Sequence, residues 1–141
     1  MPHEAPGTGH QAPAIIVGVG IDATDIDRIS ETIARYGDRF LARVFTDGEI
    51  TYCRRHRDPA PSFAARFAAK EAAMKALGTG LSRGVFWRDV EVVRAGGPPQ
   101  LRLHGGAARR FEQLGGRSTL LTLTHSRNLA IAHVLLLGDP A

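Results

Sequence analysis

Cysteine, lysine and long apolar runs are all scarce in this sequence of 141 residues. The single cysteine, Cys53, excludes an internal disulfide framework and a zinc site built on cysteines, and we interpret it as a small structural residue. No apolar run approaches the roughly 20 residues that span a bilayer, so we expect no transmembrane helix and no membrane partner. The N-terminus lacks the basic and apolar regions of a secretory signal, which makes the cytoplasm the default expectation.

The charged residues are mildly unbalanced towards the basic side. Eighteen Lys and Arg against 14 Asp and Glu give a net charge of +4, and only Lys70 and Lys75 are lysines. This balance favours an acidic partner, which could be a nucleic acid, a phosphorylated ligand or an acidic protein. The arginines are spread over residues 28–127 without interleaved surface aromatics or a zinc-finger pattern, which argues against nucleic acid.

The length of the chain predicts one domain, and 43% hydrophobic residues are enough to build its core. Residues 1–13 lack apolar periodicity and are expected to be a disordered extension, which leaves residues 14–141 as the domain. Residues 14–21 are an apolar, β-branched run that predicts a buried strand. Capping signals then predict three helices, which start at Thr24 or Asp25, Thr46 and Ser62 and end at Gly37, about Arg57 and Gly78.

The sequence of the second half of the chain predicts antiparallel strands. Two of them, residues 86–94 and 100–104, flank a Gly-Gly-Pro-Pro turn, and two more, 118–125 and 129–137, form a final hairpin. A short helix over residues 107–114 separates the pairs. Helices early in the chain and strands late in it indicate an α+β fold, with the helices packed on an antiparallel sheet.

Asp22 is a candidate metal ligand because it directly follows the first predicted strand, beside Gly18 and Gly20. A carboxylate at a strand end, approached closely by backbone, suits a divalent cation. The same side chain could instead cap the next helix, and the residues alone leave both interpretations open. The two glycines are not a dinucleotide-binding fingerprint, because a third glycine is missing at the required offset.

The helix predicted over residues 63–77 carries two further candidates. Glu71 and Lys75 are four residues apart on one face, where they could be a surface ion pair and nothing more. The Gly-Thr-Gly segment at residues 78–80 adds backbone amides near that pair, as an anion site needs. With Asp22, these residues could form a magnesium-and-ammonium site for phosphate chemistry, because Mg²⁺ prefers one or two carboxylates with waters and phosphates.

The histidines differ in their surroundings. His125 ends a predicted strand before a polar turn, where it could meet a phosphate or cap the turn. His133 alternates within an apolar strand and is interpreted as structural, whereas His56 and His104 are interpreted as surface residues.

Two longer motifs resemble the signatures of a known family. The segment GVGIDATDIDRI, at residues 18–29, resembles the N-terminal signature of the holo-[acyl-carrier-protein] synthases, the small phosphopantetheinyl transferases. The segment RFAAKEAAMKALGTG, at residues 66–80, resembles their second signature, and FWRDVEV and LTHS follow in the expected order. The resemblance extends over about residues 14–137. Ala23 and Pro99 depart from the family pattern without touching the predicted chemistry.

The resemblance implies the phosphopantetheinyl transferase fold and a role in fatty acid biosynthesis. The implied reaction moves 4'-phosphopantetheine from coenzyme A to a serine of apo acyl carrier protein and releases adenosine 3',5'-bisphosphate. The implied cofactor is Mg²⁺, held by Asp22 and Glu71, with Lys75 as the catalytic group near the reacting phosphate.

The resemblance also implies where the two substrates bind. Arg66 and His125 match positions associated with the nucleotide phosphates of coenzyme A, near the candidate anion site of Gly78, Thr79 and Gly80. Arg28 and Arg35, with Arg39 beside them, match the basic surface that receives the acidic carrier protein. Family members are homotrimers whose active sites are shared between subunits, so we expect a trimer here.

A metal-dependent nuclease is the alternative enzyme class for Asp22, Glu71 and Lys75. It would need a further carboxylate-x-lysine strand motif, and the sequence has no third lysine to supply it.

Overall fold

The computed structural model describes residues 13–140, so the predicted extension lies almost wholly outside the described residues. The helices and strands follow in the order β1 Ile15–Asp25, α1 Ile26–Tyr36, α2 Asp38–Val44, α3 Asp47–Cys53, α4 Ala60–Leu77, a 3₁₀ turn Trp87–Asp89, β2 Val90–Val93, β3 Gln100–Leu103, α5 Gly105–Gln113, β4 Gly116–His125 and β5 Leu129–Gly138. No helix in the described part of the chain is long and apolar enough to cross a membrane.

The strands form two antiparallel sheets, which confirms the predicted α+β class. The larger sheet has the order β1-β5-β4, and the smaller one consists of β2 and β3. In the larger sheet Asp22 is opposite Ala132 of the central strand, and Leu123 is opposite Ala132 on the other side. The face of this sheet that packs against α4 is called the inner face below, and the opposite face is the outer face.

Glycines in β1 allow α4 to pack unusually close to the sheet. A Cβ atom on Gly20 would lie 1.8 Å from the carbonyl oxygen of Ala72, and one on Gly18 would lie 2.3 Å from that of Ala76. The helix contributes eight buried alanines, namely Ala60, Ala64, Ala65, Ala68, Ala69, Ala72, Ala73 and Ala76. The Gly-x-Gly pattern therefore serves helix-to-strand packing, which fixes the distance between β1 and α4.

A second apolar cluster joins α1, α2 and α3 to the first half of α4. Phe45 and Phe63 are buried at its centre, with ring centroids 4.9 Å apart. Cys53 is fully buried in the same cluster, and burial raises the pKa of its thiol. The interpretation of Cys53 as a structural residue is confirmed.

An ion pair between α3 and α4 is also completely buried. Glu49 Oε1 lies 2.7 Å from Lys70 Nζ, and neither side chain is exposed. Lys70 also donates to the carbonyl oxygens of Trp87 and Val90, while Glu49 accepts from the backbone N–H of Val92 at 2.8 Å. Burial lowers the pKa of Lys70, and the Glu49 carboxylate opposes that shift. Of the two lysines, Lys70 therefore belongs to the core.

The predicted helix caps are confirmed at three positions. Asp25 caps α1 by accepting from the N–H groups of Asp27 and Arg28. Thr46 and Glu49 form the predicted capping box of α3. Gly78 ends α4 in the left-handed conformation, at a φ of 76°.

Several predicted boundaries differ from those of the structure. α4 begins at Ala60 rather than after Ser62, because Pro61 is tolerated in the first turn of a helix. α3 ends at Cys53 rather than near Arg57. The strand predicted over residues 86–94 is strand only from Val90 to Val93, because a 3₁₀ turn precedes it. β1 continues past Asp22 to Asp25, since its pairing with β5 runs that far.

His133, which is interpreted from the sequence as a structural residue, does not lie in the core. Alternate residues of β5 point to opposite faces, and Ala132 and Val134 take the inner face. His133 consequently lies exposed on the outer face.

Candidate active site

Three of the predicted site residues meet where β1 packs on α4. Lys75 Nζ lies 2.6 Å from Oδ1 of Asp22 and donates a second hydrogen bond of 3.1 Å to the carbonyl oxygen of Ile21. The side chain of Asp22 is only 14% exposed, whereas that of Lys75 is 58% exposed. The hydrogen bond to Asp22 raises the pKa of Lys75, so the ammonium stays charged at neutral pH.

Glu71 lies one turn before Lys75 on α4 and beside Asp22. Burial, a hydrogen bond to Asp22 and the charge of Asp22 together raise the pKa of Glu71 to about 7. The charges of Lys75 and Arg28 lower the pKa of Glu71 but do not cancel this increase. The two carboxylates are therefore close enough that one is readily protonated when no further cation is near.

This pair of carboxylates fits a divalent cation. Both groups supply the hard oxygen atoms that Mg²⁺ prefers, and a cation would relieve the repulsion that keeps a proton on Glu71. No cluster of three or more His, Cys, Asp or Glu side chains occurs within residues 13–140. A Mg²⁺ ion held by Asp22 and Glu71 would accordingly keep positions for water or substrate oxygens.

Arg66 and His125 line one common cavity of about 350 Å³, as a shared role in binding would require. Arg66 is 4% exposed, donates to Ser62 Oγ at 2.9 Å and lies 4.2 Å from the ring centroid of Tyr52. Its Nε is buried and has no hydrogen-bond partner within the described residues. The cavity therefore has a buried guanidinium in its wall.

Two further side chains that can donate hydrogen bonds, His56 and Arg94, line the same cavity. The sequence indicates His56 only as a surface residue and does not mark Arg94. His56 is exposed, as predicted, and contributes to the cavity as well. Neither residue belongs to a sequence motif. His56 follows α3 and Arg94 follows β2, and only the fold brings them to the same cavity.

The carboxylates do not open into this cavity. Glu71 and Arg28 instead line a second cavity of about 290 Å³ with Phe40 and Phe67, and no residue lines both cavities. Within one chain, Glu71 thus lines a different cavity from Arg66 and His125.

The Gly78-Thr79-Gly80 segment is engaged in ending α4. The N–H of Gly78 donates to the carbonyl oxygen of Lys75, and those of Thr79 and Gly80 donate to that of Met74. The role of these residues in binding phosphate stays a prediction. It requires their N–H groups either to donate to phosphate as well or to give up their hydrogen bonds to Lys75 and Met74.

The predicted partner surface lies on α1 and α2. Arg28 and Arg35 are seven residues apart on α1 and exposed, so they share a face of that helix. Arg39 lines a shallow groove of about 570 Å³ with Tyr36, Phe40, Thr32 and Arg43. Tyr36 is 53% exposed and was missed by the sequence analysis, because a single exposed aromatic residue in a helix carries no pattern.

Comparison with known proteins places the chain in a family. Residues 18–132 match the 4'-phosphopantetheinyl transferase superfamily. The holo-[acyl-carrier-protein] synthase of Solibacter usitatus is 50% identical over 123 residues, which are 86% of this chain and 98% of that protein.

Two solved structures are also similar. The holo-[acyl-carrier-protein] synthase of Helicobacter pylori, solved in complex with coenzyme A, has a TM-score of 0.74 at 28% identity, covering 84% of this chain and 98% of that one. The enzyme of Bacillus anthracis, in complex with CoA (3',5'-ADP), has a TM-score of 0.72 at 31% identity, covering 88% and 98%.

These similarities establish a class of enzyme, the phosphopantetheinyl transferases. The chain belongs to that superfamily and, within it, to the holo-[acyl-carrier-protein] synthases, which confirms the family indicated by the motifs.

Proposed function

We propose that this chain transfers 4'-phosphopantetheine from coenzyme A to a serine of apo acyl carrier protein and uses Mg²⁺ to do so. The serine oxygen attacks the phosphorus that carries pantetheine, and the phosphoanhydride bond to the adenosine part breaks. Adenosine 3',5'-bisphosphate leaves, and the proton of the serine hydroxyl is released to the surrounding water. The single observation that carries this proposal is the convergence of Asp22, Glu71 and Lys75 at the contact between β1 and α4.

Phosphoryl transfer depends more on position and charge than on covalent catalysis, and these residues supply both. Bound Mg²⁺ would neutralise charge on the phosphate oxygens as it develops. Asp22 and Glu71 would hold the ion, one from the sheet and one from the helix. The side chain of Lys75 is 58% exposed, so its ammonium has room to turn from Asp22 towards a phosphate oxygen.

The nucleotide of coenzyme A fits the cavity lined by Arg66 and His125. That cavity also has His56 and Arg94 in its wall, which gives it several donors suited to phosphate oxygens. Arg66 has one donor nitrogen without a partner in the described residues, and a phosphate would satisfy it.

The carrier protein fits the surface formed by α1 and α2. Acyl carrier protein is acidic according to the family resemblance, and the exposed Arg28, Arg35 and Arg39 would attract it. The groove that Tyr36 and Phe40 line beside Arg39 would accept an apolar side chain of the partner. Binding there would place the carrier serine near Glu71, because Arg28 and Glu71 line one cavity.

We further propose that the enzyme is a homotrimer with active sites between subunits. Glu71 lines a different cavity from Arg66 and His125 in one chain, so these residues do not share one continuous cavity there. A neighbouring copy can bring its nucleotide cavity to the carboxylates of the first. The outer face of the three-stranded sheet carries exposed Val19, Ile21 and Leu120, which suits contact with further copies rather than with an acidic carrier.

The decisive experiment incubates the chain with coenzyme A, Mg²⁺ and an apo acyl carrier protein, and follows intact mass. We expect the carrier to gain one phosphopantetheinyl group, and a carrier whose acceptor serine is replaced by alanine should gain none. An unmodified carrier beside a folded chain that binds coenzyme A would overturn the proposed reaction. Sedimentation of the same preparation tests the trimer separately.

A further inference from the structure

A histidine lies at the centre of the outer face of the three-stranded sheet. The strand register forms three rows across β1, β5 and β4, namely Val19–Leu135–Leu120, Ile21–His133–Thr122 and Ala23–Ile131–Thr124. Since β5 is the middle strand, His133 occupies the middle of the middle row. Apart from its imidazole, the nine positions are aliphatic residues and threonines.

No charged side chain neighbours His133 in these rows. On the β1 side its partner is Ile21, and on the β4 side its partner is Thr122. The acidic residue of β1 that alternates onto the outer face is Asp25, at the end of the strand, where its carboxylate caps α1. Beyond the opposite end of the rows, Arg117 and Asp139 pair with each other at 3.0 Å. Among these nine described positions no side chain carries a charge that would stabilise a protonated imidazole.

We propose that His133 makes the self-association of this chain dependent on pH. The inference rests on the proposed trimer, in which the outer faces of the copies pack together. A neutral imidazole can be buried among aliphatic residues and threonine hydroxyls at little cost. A protonated one would be removed from water without a counter-charge and, in a closed assembly, would meet the same charge from the other copies.

The size of the effect follows from proton linkage. An ordinary imidazole is half protonated near pH ~6.5. If each copy must release one proton to associate, the association constant falls about tenfold per imidazole for each pH unit below that point. For a trimer the combined decrease is about a thousandfold per pH unit.

The test is sedimentation equilibrium of the full chain at about pH 8 and about pH 5.5, beside the His133→Gln variant. Glutamine is of similar size and polar but does not titrate, which makes it a matched control. We expect the wild-type chain to be associated at the higher pH and to dissociate at the lower one. The variant should remain associated at both.

A second measurement does not depend on the variant. The titration of the His133 Cε1 proton, followed by NMR, should move to lower pH as the protein concentration rises. A titration that is independent of concentration would overturn the proposal.

The remaining outcomes distinguish a failure of the role of His133 from a failure of the proposed trimer. A wild-type chain that stays associated at both pH values, or a His133→Gln variant that dissociates as the wild type does, would overturn the role of His133 and leave the trimer standing. Loss of the far-UV circular dichroism signal together with association would also overturn it, because folding would then be the pH-sensitive step. A chain that is monomeric throughout would instead remove the proposed trimer.

Discussion

Lys75 of α4 donates a hydrogen bond of 2.6 Å to Oδ1 of Asp22 in β1, across 53 residues of sequence. The ammonium pairs with one of the two neighbouring carboxylates, and it only partly offsets the burial and the Asp22 contact that raise the pKa of the other, Glu71, to about 7. A divalent cation that binds both carboxylates must displace the proton of Glu71 and compete with the ammonium for Asp22. Several consequences of that competition can be measured.

Removing either carboxylate should abolish metal-dependent turnover. Asp22→Asn and Glu71→Gln keep the shape of the side chain but lose the charge, and metal charge stabilisation supplies several kcal/mol, so we expect turnover to fall by about 10³-fold or more. Calorimetric titration with Mg²⁺ in the presence of coenzyme A should show weaker binding. Glu112→Gln, at an exposed carboxylate on α5, is the control and should change neither quantity. Near-normal turnover in a folded Glu71→Gln variant would contradict the assignment.

The stability of the metal-free chain should depend on the protonation of Glu71. Its pKa of about 7 in the folded chain lies above the ordinary value of 4.5, so folding favours the protonated form. The contribution of this group to stability is present below about pH 4.5 and is lost as pH rises towards about 7. Melting temperatures in EDTA should therefore fall with pH more steeply for the wild type than for Glu71→Gln. Identical profiles for the two chains would contradict the raised pKa.

The parts of the site that a continuous motif carries were predictable from the sequence. Glu71 and Lys75 share a helix face because they are four residues apart, and the apolar run before Asp22 indicated the strand that faces them. That Lys70 is buried was not predictable, because its partner Glu49 lies 21 residues away and looked only like a helix cap. Arg94 and His56 meet Arg66 only through the tertiary fold. The outward position of His133 depends on strand register, which alternation alone does not determine.

The buried pair of Glu49 and Lys70 should matter far more for stability than an exposed pair does. Lys70→Met leaves the Glu49 carboxylate buried without its counter-charge, so we expect the free energy of unfolding to fall by about 3–5 kcal/mol. The double variant Glu49→Gln/Lys70→Met should be less destabilised than Lys70→Met alone. The control is Arg54→Met, which removes the exposed pair of Arg54 with Asp38 and should cost no more than about 1 kcal/mol. Equal losses in urea unfolding for the buried and exposed pairs would be inconsistent with this account.

Arg35 offers a cleaner test of carrier binding than Arg28. Arg28 acts on the pKa of Glu71, so its replacement would disturb the carboxylates as well as the surface. Arg35→Glu should raise the KM for the carrier protein about tenfold and weaken its dependence on salt, while the KM for coenzyme A stays unchanged. Arg109→Glu, which makes the same charge change on α5, is the control. An altered KM for coenzyme A with normal carrier affinity would show that the surface is misassigned.

The distance between β1 and α4 should control both stability and turnover, and Gly20 is the residue that tests it. A Cβ atom at this position would lie 1.8 Å from the carbonyl oxygen of Ala72, and backbone cannot move away as a flexible side chain can. Gly20→Ala should therefore push α4 away from β1 and lower the free energy of unfolding by about 1–3 kcal/mol or more.

The same substitution should impair catalysis beyond its effect on stability. Asp22 lies two residues after Gly20 on the same face of β1, and Glu71 directly precedes Ala72 in α4, so the displacement separates the two carboxylates. Turnover should fall even at temperatures where the variant remains fully folded, and Mg²⁺ should bind more weakly. Gly97→Ala is the matched control, because a Cβ atom there would meet nothing within 4 Å. A Gly20→Ala chain as stable and as active as Gly97→Ala would mean that close packing of α4 on β1 does not position the carboxylates.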